Sequence, residues 1–148
     1  MYDRKTGNFI HHAKKINDPT SLSSNEIRVI YEDRAGVLWV GCGEPFPPRN
    51  LDAGNGGLNR FDKGTGKFTR YLHDPVNTNS IANNKVRALL EDSKGNFWVG
   101  TSGDGLQTLD RRTGVFSHYC IAAFKLAVRI YYPVPKVCLP NQSAEQIK

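Results

Sequence analysis

Cysteine, methionine and tryptophan are scarce in this chain: three, one and two among 148 residues. Cys42, Cys120 and Cys138 are odd in number and no Cys-x-x-Cys occurs, so neither a disulfide framework nor a zinc site is expected. No long hydrophobic run is present. The most apolar stretch, residues 121–137, is interrupted by Lys125, Arg129, Pro133, Pro135 and Lys136, too short and too broken to cross a bilayer. The opening Met1-Tyr2-Asp3-Arg4 lacks the apolar run of a secretory signal. Twenty Lys and Arg against fourteen acids give a net charge of +6, but the basic residues stand singly beside turns, and no run of five or six occurs. Nucleic acid is therefore not an expected partner. No phosphoacceptor helix and no glycine-rich nucleotide lid is legible, and no catalytic residue, cofactor or metal is expected. His11, His12, His73 and His118 all fall at or just after a predicted fourth strand, in polar connectors, and read as surface residues rather than a metal cluster.

What the chain has is glycine, fourteen residues of it, and a repeat. The segment from Val29 to Gly41, which contains Tyr31-Glu32-Asp33-Arg34-Ala35-Gly36-Val37-Leu38-Trp39-Val40, recurs 59 residues later from Ala88 to Gly100, which contains Leu90-Glu91-Asp92-Ser93-Lys94-Gly95-Asn96-Phe97-Trp98-Val99. A second pattern, Gly57-Leu58-Asn59-Arg60-Phe61-Asp62 with Thr65-Gly66-Lys67-Phe68, recurs at an offset of 48 as Gly105-Leu106-Gln107-Thr108-Leu109-Asp110 with Thr113-Gly114-Val115-Phe116. The difference of 11 is an insertion in the first unit, so the basic period is 48, the size of a propeller blade. The connector repeats too: Ser21 to Arg28 matches Ser80 to Arg87 at 59, and Tyr2 to Phe9 matches Phe61 to Phe68.

Each unit reads as four short strands. They are predicted over 27–32, 37–41, 58–62 and 67–71 in the first unit, and over 86–91, 97–101, 106–110 and 115–119 in the second. Asp33 with Gly36, Asp62 with Gly66, Asp92 with Gly95, and Asp110 with Gly114 have the chemistry of tight turns, Asp capping turn amides and Gly re-entering the strand. Their recurrence at equal positions favours a structural role over catalytic or calcium-binding carboxylates. The Gly100 to Gly105 loop leads into a strand, not a helix, and so reads as a hairpin rather than a phosphate cradle. The second strand of each unit is a continuous apolar run around Trp39-Val40-Gly41 and Trp98-Val99-Gly100, which requires cover on both faces. Sheets stacked around an axis supply that cover. Trp39 and Trp98 are accordingly expected to fill the space between blades rather than to stack on sugars. The fold class is thus all-β: β-propeller blades, about two four-stranded antiparallel blades plus a partial one, in an incomplete ring. The divisions are 1–26, a partial blade and connector; 27–85, a blade with an insertion at 44–55 and its connector; 86–119, a second blade; and 120–148, a tail outside the repeat. One period beyond Glu91-Asp92 and Trp98 the tail has Leu139-Pro140 and Gln146, so it is expected not to be a true blade, as a frameshift or a truncated gene would produce.

In these motifs the chain resembles the two-component regulator propeller family, over roughly residues 2–119, through Glu32-Asp33, Gly36, Leu38-Trp39-Val40-Gly41 and through Glu91-Asp92, Gly95, Phe97-Trp98-Val99-Gly100-Thr101. Cys42 stands where the family and Thr101 have threonine. The resemblance implies a fragment of the ligand-sensing region of a hybrid two-component histidine kinase: periplasmic, part of a membrane-anchored parent, and responsive to an extracellular ligand such as a glycan. The insertion is the expected ligand-binding element. Phe46, Arg49, Asn50, Asp52 and Asn55 offer an aromatic ring, a forked donor and polar groups suited to a hydroxyl-rich ligand, on a loop stiffened by Pro45, Pro47 and Pro48. Two other classes remain open. One is an interaction or dimerisation module; the other, a propeller lyase or hydrolase, would need a repeat-breaking acid, base or metal ligand, and residues 1–119 show none. Expected partners are a carbohydrate or other small ligand, neighbouring blades of a longer chain, and further copies of itself. Two blades and a stub leave apolar end faces, so the isolated chain is expected to self-associate or to dissolve poorly.

Overall fold

The computed structural model describes residues 1–44 and 56–119. The insertion residues Phe46, Arg49, Asn50, Asp52 and Asn55, and the divergent tail from residue 120 onward, lie outside the described residues. Everything described is strand, turn or connector, without a helix. A two-stranded hairpin, β1 (Tyr2–Asp3) with β2 (Asn8–Phe9), comes first. Two four-stranded antiparallel sheets follow. The first is β3 (Ile27–Glu32), β4 (Leu38–Gly43), β5 (Gly56–Asp62) and β6 (Lys67–Tyr71); the second is β7 (Val86–Glu91), β8 (Phe97–Thr101), β9 (Gly105–Asp110) and β10 (Val115–Tyr119). Both are simple meanders in sequence order. They stack so that β7 lies closest to β3, less close to β4 and least to β5, the wedge that blades make around an axis. The described part is open, not a closed ring.

The turns explain the registers. In the β3–β4 turn, Asp33 Oδ1 accepts from the amides of Ala35 (3.0 Å) and Val37 (2.9 Å), and Gly36 sits at φ 76°, a conformation that glycine alone takes without strain. Asp92 and Gly95 repeat this in the β7–β8 turn, through the amides of Lys94 and Asn96. Because the Val37 amide is committed to the turn, β4 starts at Leu38, one residue later than expected. At its far end β4 runs two residues longer than expected, through Cys42 and Gly43, which pair with Gly57 and Gly56. The β5–β6 and β9–β10 turns are built alike, with Asp62 Oδ1 accepting from Gly64 N (2.8 Å), Asp110 Oδ1 accepting from Arg112 N (2.9 Å), and the amides of Gly66 and Gly114 closing onto the carbonyls of Asp62 and Asp110.

The main core lies between the two sheets. Trp39 and Leu58 of the first sheet meet Val86, Leu89, Phe97, Val99, Leu109 and Phe116 of the second, with Ile81 of the connector between them. The ring of Trp39 lies 4.8 Å from that of Phe97, so this tryptophan does fill the blade junction. The second apolar run differs from expectation. Trp98 occupies the position of Trp39 but is only half-buried, because its side of the sheet faces away from the first blade. A smaller core on the first blade's other face joins Leu22, Val40, Cys42, Phe61 and Phe68. His12 rests edge-on against Phe61 (5.0 Å) and Phe68 (5.4 Å), half-buried rather than on the surface as the sequence suggested. It stands 59 residues before Tyr71, which meets Phe116 in the same way at 6.0 Å; the N-terminal hairpin is the outer half of a preceding blade.

Candidate functional site

Antiparallel meanders put the β3–β4 and β5–β6 turns at one end of a blade and the β4–β5 loop and interblade connectors at the other. The insertion leaves from the connector end. Its stem is Gly43 and Glu44 on one side and Gly56 and Gly57 on the other, and both blades hold it. The first blade contributes Arg28, whose Nε donates to Gly43 O (3.0 Å), and Glu26, whose carbonyl accepts from Gly43 N (2.9 Å). The second contributes Arg87, whose Nη2 donates to Glu44 O (3.0 Å), and Asn84, whose carbonyl accepts from Gly57 N (2.6 Å). The glycines permit the approach: a side chain on Gly43 would stand 2.7 Å from Lys85 Cα.

Arg28 and Arg87 are aimed by the backbone. Pairing of β3 with β4 passes from Ile27–Cys42 to Val29–Gly41, and that of β7 with β8 from Val86–Thr101 to Ala88–Gly100, leaving one extra residue in each case. These are β-bulges, and the bulged residues are the two arginines. A bulge lets a strand turn one side chain out of the ladder. The second blade closes the same end with a short turn, Ser102 to Asp104, where Ser102 N donates to Lys85 O (2.9 Å) and Asn83 Nδ2 to Asp104 Oδ2 (2.7 Å). Half-exposed guanidinium groups, an amide and carboxylates around a loop stem can bind hydroxyls or anions. Sequence reading missed the bulged arginines; the repeat of Arg28 as Arg87 was the available signal.

The opposite end is an electrostatic lock between blades. Arg111 of the β9–β10 turn donates through Nη1 to Asp33 Oδ2 (2.8 Å) in the first blade, and through Nη2 to Glu91 Oε1 (2.7 Å) in its own. Glu91 Oε2 accepts from Arg34 N (2.9 Å), and the Tyr31 hydroxyl accepts from Glu91 N (3.0 Å). The Trp39 indole donates to Asp33 Oδ2 at 2.9 Å, as Trp98 does to Asp92. Burial works against ionisation of Asp33, yet the Trp39 indole, the Val37 amide and Arg111 together hold its carboxyl below the usual range. Arg111, then the Arg34 amide, do the same for Glu91. Asp92, with the Trp98 indole and the Asn96 side chain as its main donors, is lowered to about 2. The donors to Asp33 and Glu91 fall at the turn and the blade junction, and those to Asp92 fall within its own turn.

Of the remaining histidines, His73 Nδ1 lies 2.9 Å from Ile81 O and His118 Nε2 2.8 Å from Ser80 O, both against connector carbonyls. Among the described residues no group of three or more His, Cys, Asp or Glu could hold a metal ion.

Residues 21–44 and 80–103 each match the family model described as two component regulator propeller. Both segments are two component regulator propeller repeats. They cover the connector, the two inner strands of each blade, the bulge and the Asp-capped turn. No curated protein matches the chain. Among solved structures, the chain is similar to the extracellular domain of a protein described as a hybrid two component system, BT3049 of B. thetaiotaomicron, at 24% identity and a TM-score of 0.62 over 76% of this chain and 14% of that one. At that identity the likeness speaks for the propeller fold alone. Two structures of the extracellular domain of BT4673 from the same organism, titled as a one component and a hybrid two component system, match at 30% identity over 68% and 66% of this chain, with TM-scores of 0.47 and 0.48. The chain spans 12% of each of those.

Proposed function

We propose that this chain is a segment of the ligand-sensing propeller region of a hybrid two-component sensor histidine kinase, placed in the periplasm by a membrane-anchored parent and responding to an extracellular glycan. The observation that carries this reading is the pair of two component regulator propeller repeats, each with its inner strands, bulged arginine and Asp-capped turn. The chain's part is binding rather than catalysis: the carboxylates of Asp33, Asp62, Asp92, Asp110 and Glu91 are engaged by turns and by the blade junction. The ligand contacts fall to the connector end, where Arg28 and Arg87 hold the stem of the insertion bearing Phe46, Arg49, Asn50, Asp52 and Asn55.

The test is calorimetric titration of the parent's complete sensor region with a panel of neutral and uronate-containing oligosaccharides. It is repeated with Arg49→Ala and with the insertion replaced by the short Ser-Gly-Asp turn of the second blade. Saturable binding of one glycan class, lost in both variants, is the expected result. Binding that persists in the shortened variant would remove the insertion from the site, and absence of binding to every glycan would remove the glycan assignment.

A further inference from the structure

A histidine stands at position 12 where the repeat has Tyr71 and Tyr119. At the junction of the two blades Tyr71 lies against Trp39 (5.9 Å) and Phe116 (6.0 Å). His12 takes the corresponding seat between the N-terminal hairpin and the first blade, edge-on to Phe61 and Phe68. Its Nε2 is buried without a hydrogen-bond partner, and among the described residues no other buried side-chain nitrogen or oxygen is left so. The other histidines differ. His11 is exposed, and His73 and His118 each bring a ring nitrogen to a connector carbonyl. An imidazolium at either can still donate there, whereas one at His12 would bury a charged N–H that has nothing to donate to.

The charged groups around this seat do not offset that cost. On the facing side of the first blade stand Glu32, in register with Leu38, and Arg70, in register with Asn59. Glu32 is two strands away from Phe61, roughly 10 Å, and is paired with Lys63 at 2.7 Å. Arg70 is bonded to the carbonyls of Asp18, Ser21 and Leu22. In the connector the Asp18 carboxylate accepts from the amide and hydroxyl of Thr20, and Lys14 and Lys15 bring charge of the same sign as an imidazolium. In the hairpin Asp3 accepts from the Lys5 amide and the Thr6 hydroxyl, Arg4 and Lys5 are again cations, and the Met1 ammonium donates to Ile10 O at 2.7 Å. Burial first, and then repulsion by that ammonium, hold the His12 imidazole below its ordinary pKa.

We infer that His12 makes the docking of the N-terminal hairpin on the first blade acid-labile: the junction closes on a neutral imidazole and loosens when the ring takes up a proton. The docked state binds that proton less readily than the undocked one, so acid draws the two apart. Above the ordinary imidazole value, about 6.5, the ring is neutral in both states and docking is unaffected. Docking weakens as pH falls through that value and levels off below the lowered one. Asp33 and Glu91, which lock the second junction, lose their charge only below the ordinary carboxylate range. Mild acid therefore loosens the first junction and spares the second. The effect does not rest on an open face: further strands of a preceding blade would enclose the imidazole more, as Trp39 encloses Tyr71, and would enlarge it. Nor does it depend on the chain being a sensor.

The experiment is pulsed hydrogen exchange of the full chain, read by mass spectrometry at about pH 7.5 and about pH 5 and corrected for the intrinsic rate, on wild type, His12→Phe and His12→Gln. A two-stranded hairpin is marginal by itself, so undocking exposes amides such as those of Gly7 and Ile10 that bond within it. Wild type is expected to lose at least about threefold of its protection over the hairpin and its connector on acidification, with β7, β8 and β9 unchanged. His12→Phe, which fills the seat without a titrating group, is expected to be equally protected at both pH values. His12→Gln, which buries an unpaired amide that does not titrate, is expected to be poorly protected at both. Nuclear magnetic resonance of the imidazole protons is expected to place His12 below the ordinary value, and to do so after N-terminal acetylation, which removes the Met1 charge. Hairpin protection in wild type that does not change with pH overturns the inference, as does a change that persists in His12→Phe. So do a His12 value at or above the ordinary one, as an imidazolium held by the Phe61 and Phe68 rings would give, and a lowered value that returns to normal on acetylation.

Discussion

The repeat places an amide side chain, Asn59 or Gln107, at the centre of each blade's third strand, and both are fully buried. Their surroundings differ, so the same replacement should give different results. Asn59 Oδ1 accepts from Ser23 N (3.0 Å), while its Nδ2 donates to Ser23 Oγ (2.9 Å) and Val40 O (3.1 Å). Gln107 Oε1 accepts from Ala82 N (2.9 Å), but its Nε2 reaches only Thr101 Oγ1 at a long 3.4 Å. Asn59→Leu strips a buried amide and a buried carbonyl of this partner, at roughly 1–3 kcal/mol each. Burying the leucine side chain returns roughly 1.5–3 kcal/mol. The net expectation is a loss of about 2 kcal/mol. Gln107→Leu leaves one half-buried amide, that of Ala82, without this partner against the same gain, so it should change stability by about zero. Urea unfolding followed by tryptophan fluorescence, at concentrations low enough to keep the chain monomeric, measures both. Equal losses in the two variants, or a neutral Asn59→Leu, would refute the claim that this amide pins the connector onto the blade.

A methyl group on Gly41 would stand 2.6 Å from Cγ1 of both Val29 and Val86, whereas on Gly100 the nearest contact is the Ala88 Cβ at 3.4 Å; thermal unfolding should show Gly41→Ala destabilised by about 1–3 kcal/mol and Gly100→Ala much less. Asp33 and Glu91 have folded-state pKa values below their ordinary ones, so their contribution is complete above the ordinary carboxylate range and is lost as pH falls through the lowered values. Urea midpoints for wild type should therefore drop from about pH 4 downward, with Asp92 extending the loss toward about 2. In Arg111→Met, where burial acts on both carboxylates without the cation, acidification should cost less, and parallel pH curves would contradict the lock. Burial raises the pKa of the Cys42 thiol, so iodoacetamide at pH 8 should label it far more slowly in the folded chain than in urea, read by peptide mass spectrometry; equal rates would place it at the surface.

The strands were readable because the turns announce themselves: β3, β6, β7, β8 and β10 have the bounds expected from sequence. The errors have local causes. Val37 is apolar and β-branched, yet its amide belongs to Asp33. Cys42 and Gly43 continue the ladder because Glu26, Arg28 and the second blade grip the stem of the insertion. The face-by-face asymmetry of Trp39 and Trp98 could not be read from either segment alone, since the two share the motif and, among the described residues, a sheet follows only the first. The Arg111 bridge was hidden because its partners lie 78 and 20 residues away. Its counterpart Lys63 shows only the short-range half of the same arrangement.

That contrast also says where specificity must reside. Residues that repeat with the same partners, such as Asp33 and Asp92 in their turns, are fixed by the blade and would be alike in any propeller built from these units. Departures from the repeat are free of that demand. Among the described residues one group of departures lies at the connector end, where Gly43, Glu44 and Gly56 replace a short Ser-Gly-Asp turn and Cys42 with Asn59 replaces Thr101 with Gln107; another, Arg111 against Lys63 and Arg34 against Ser93, lies at the blade junction. Arg87 touches the departing loop from the second blade while Arg28 holds it from the first. Any force on that stem therefore acts on two sheets at once, and the Asp33–Arg111–Glu91 lock at the other end resists their separation. A ligand held by the loop would meet a stiff pair of blades rather than one yielding hairpin, which is the mechanical property a sensor needs if binding is to be felt beyond the loop.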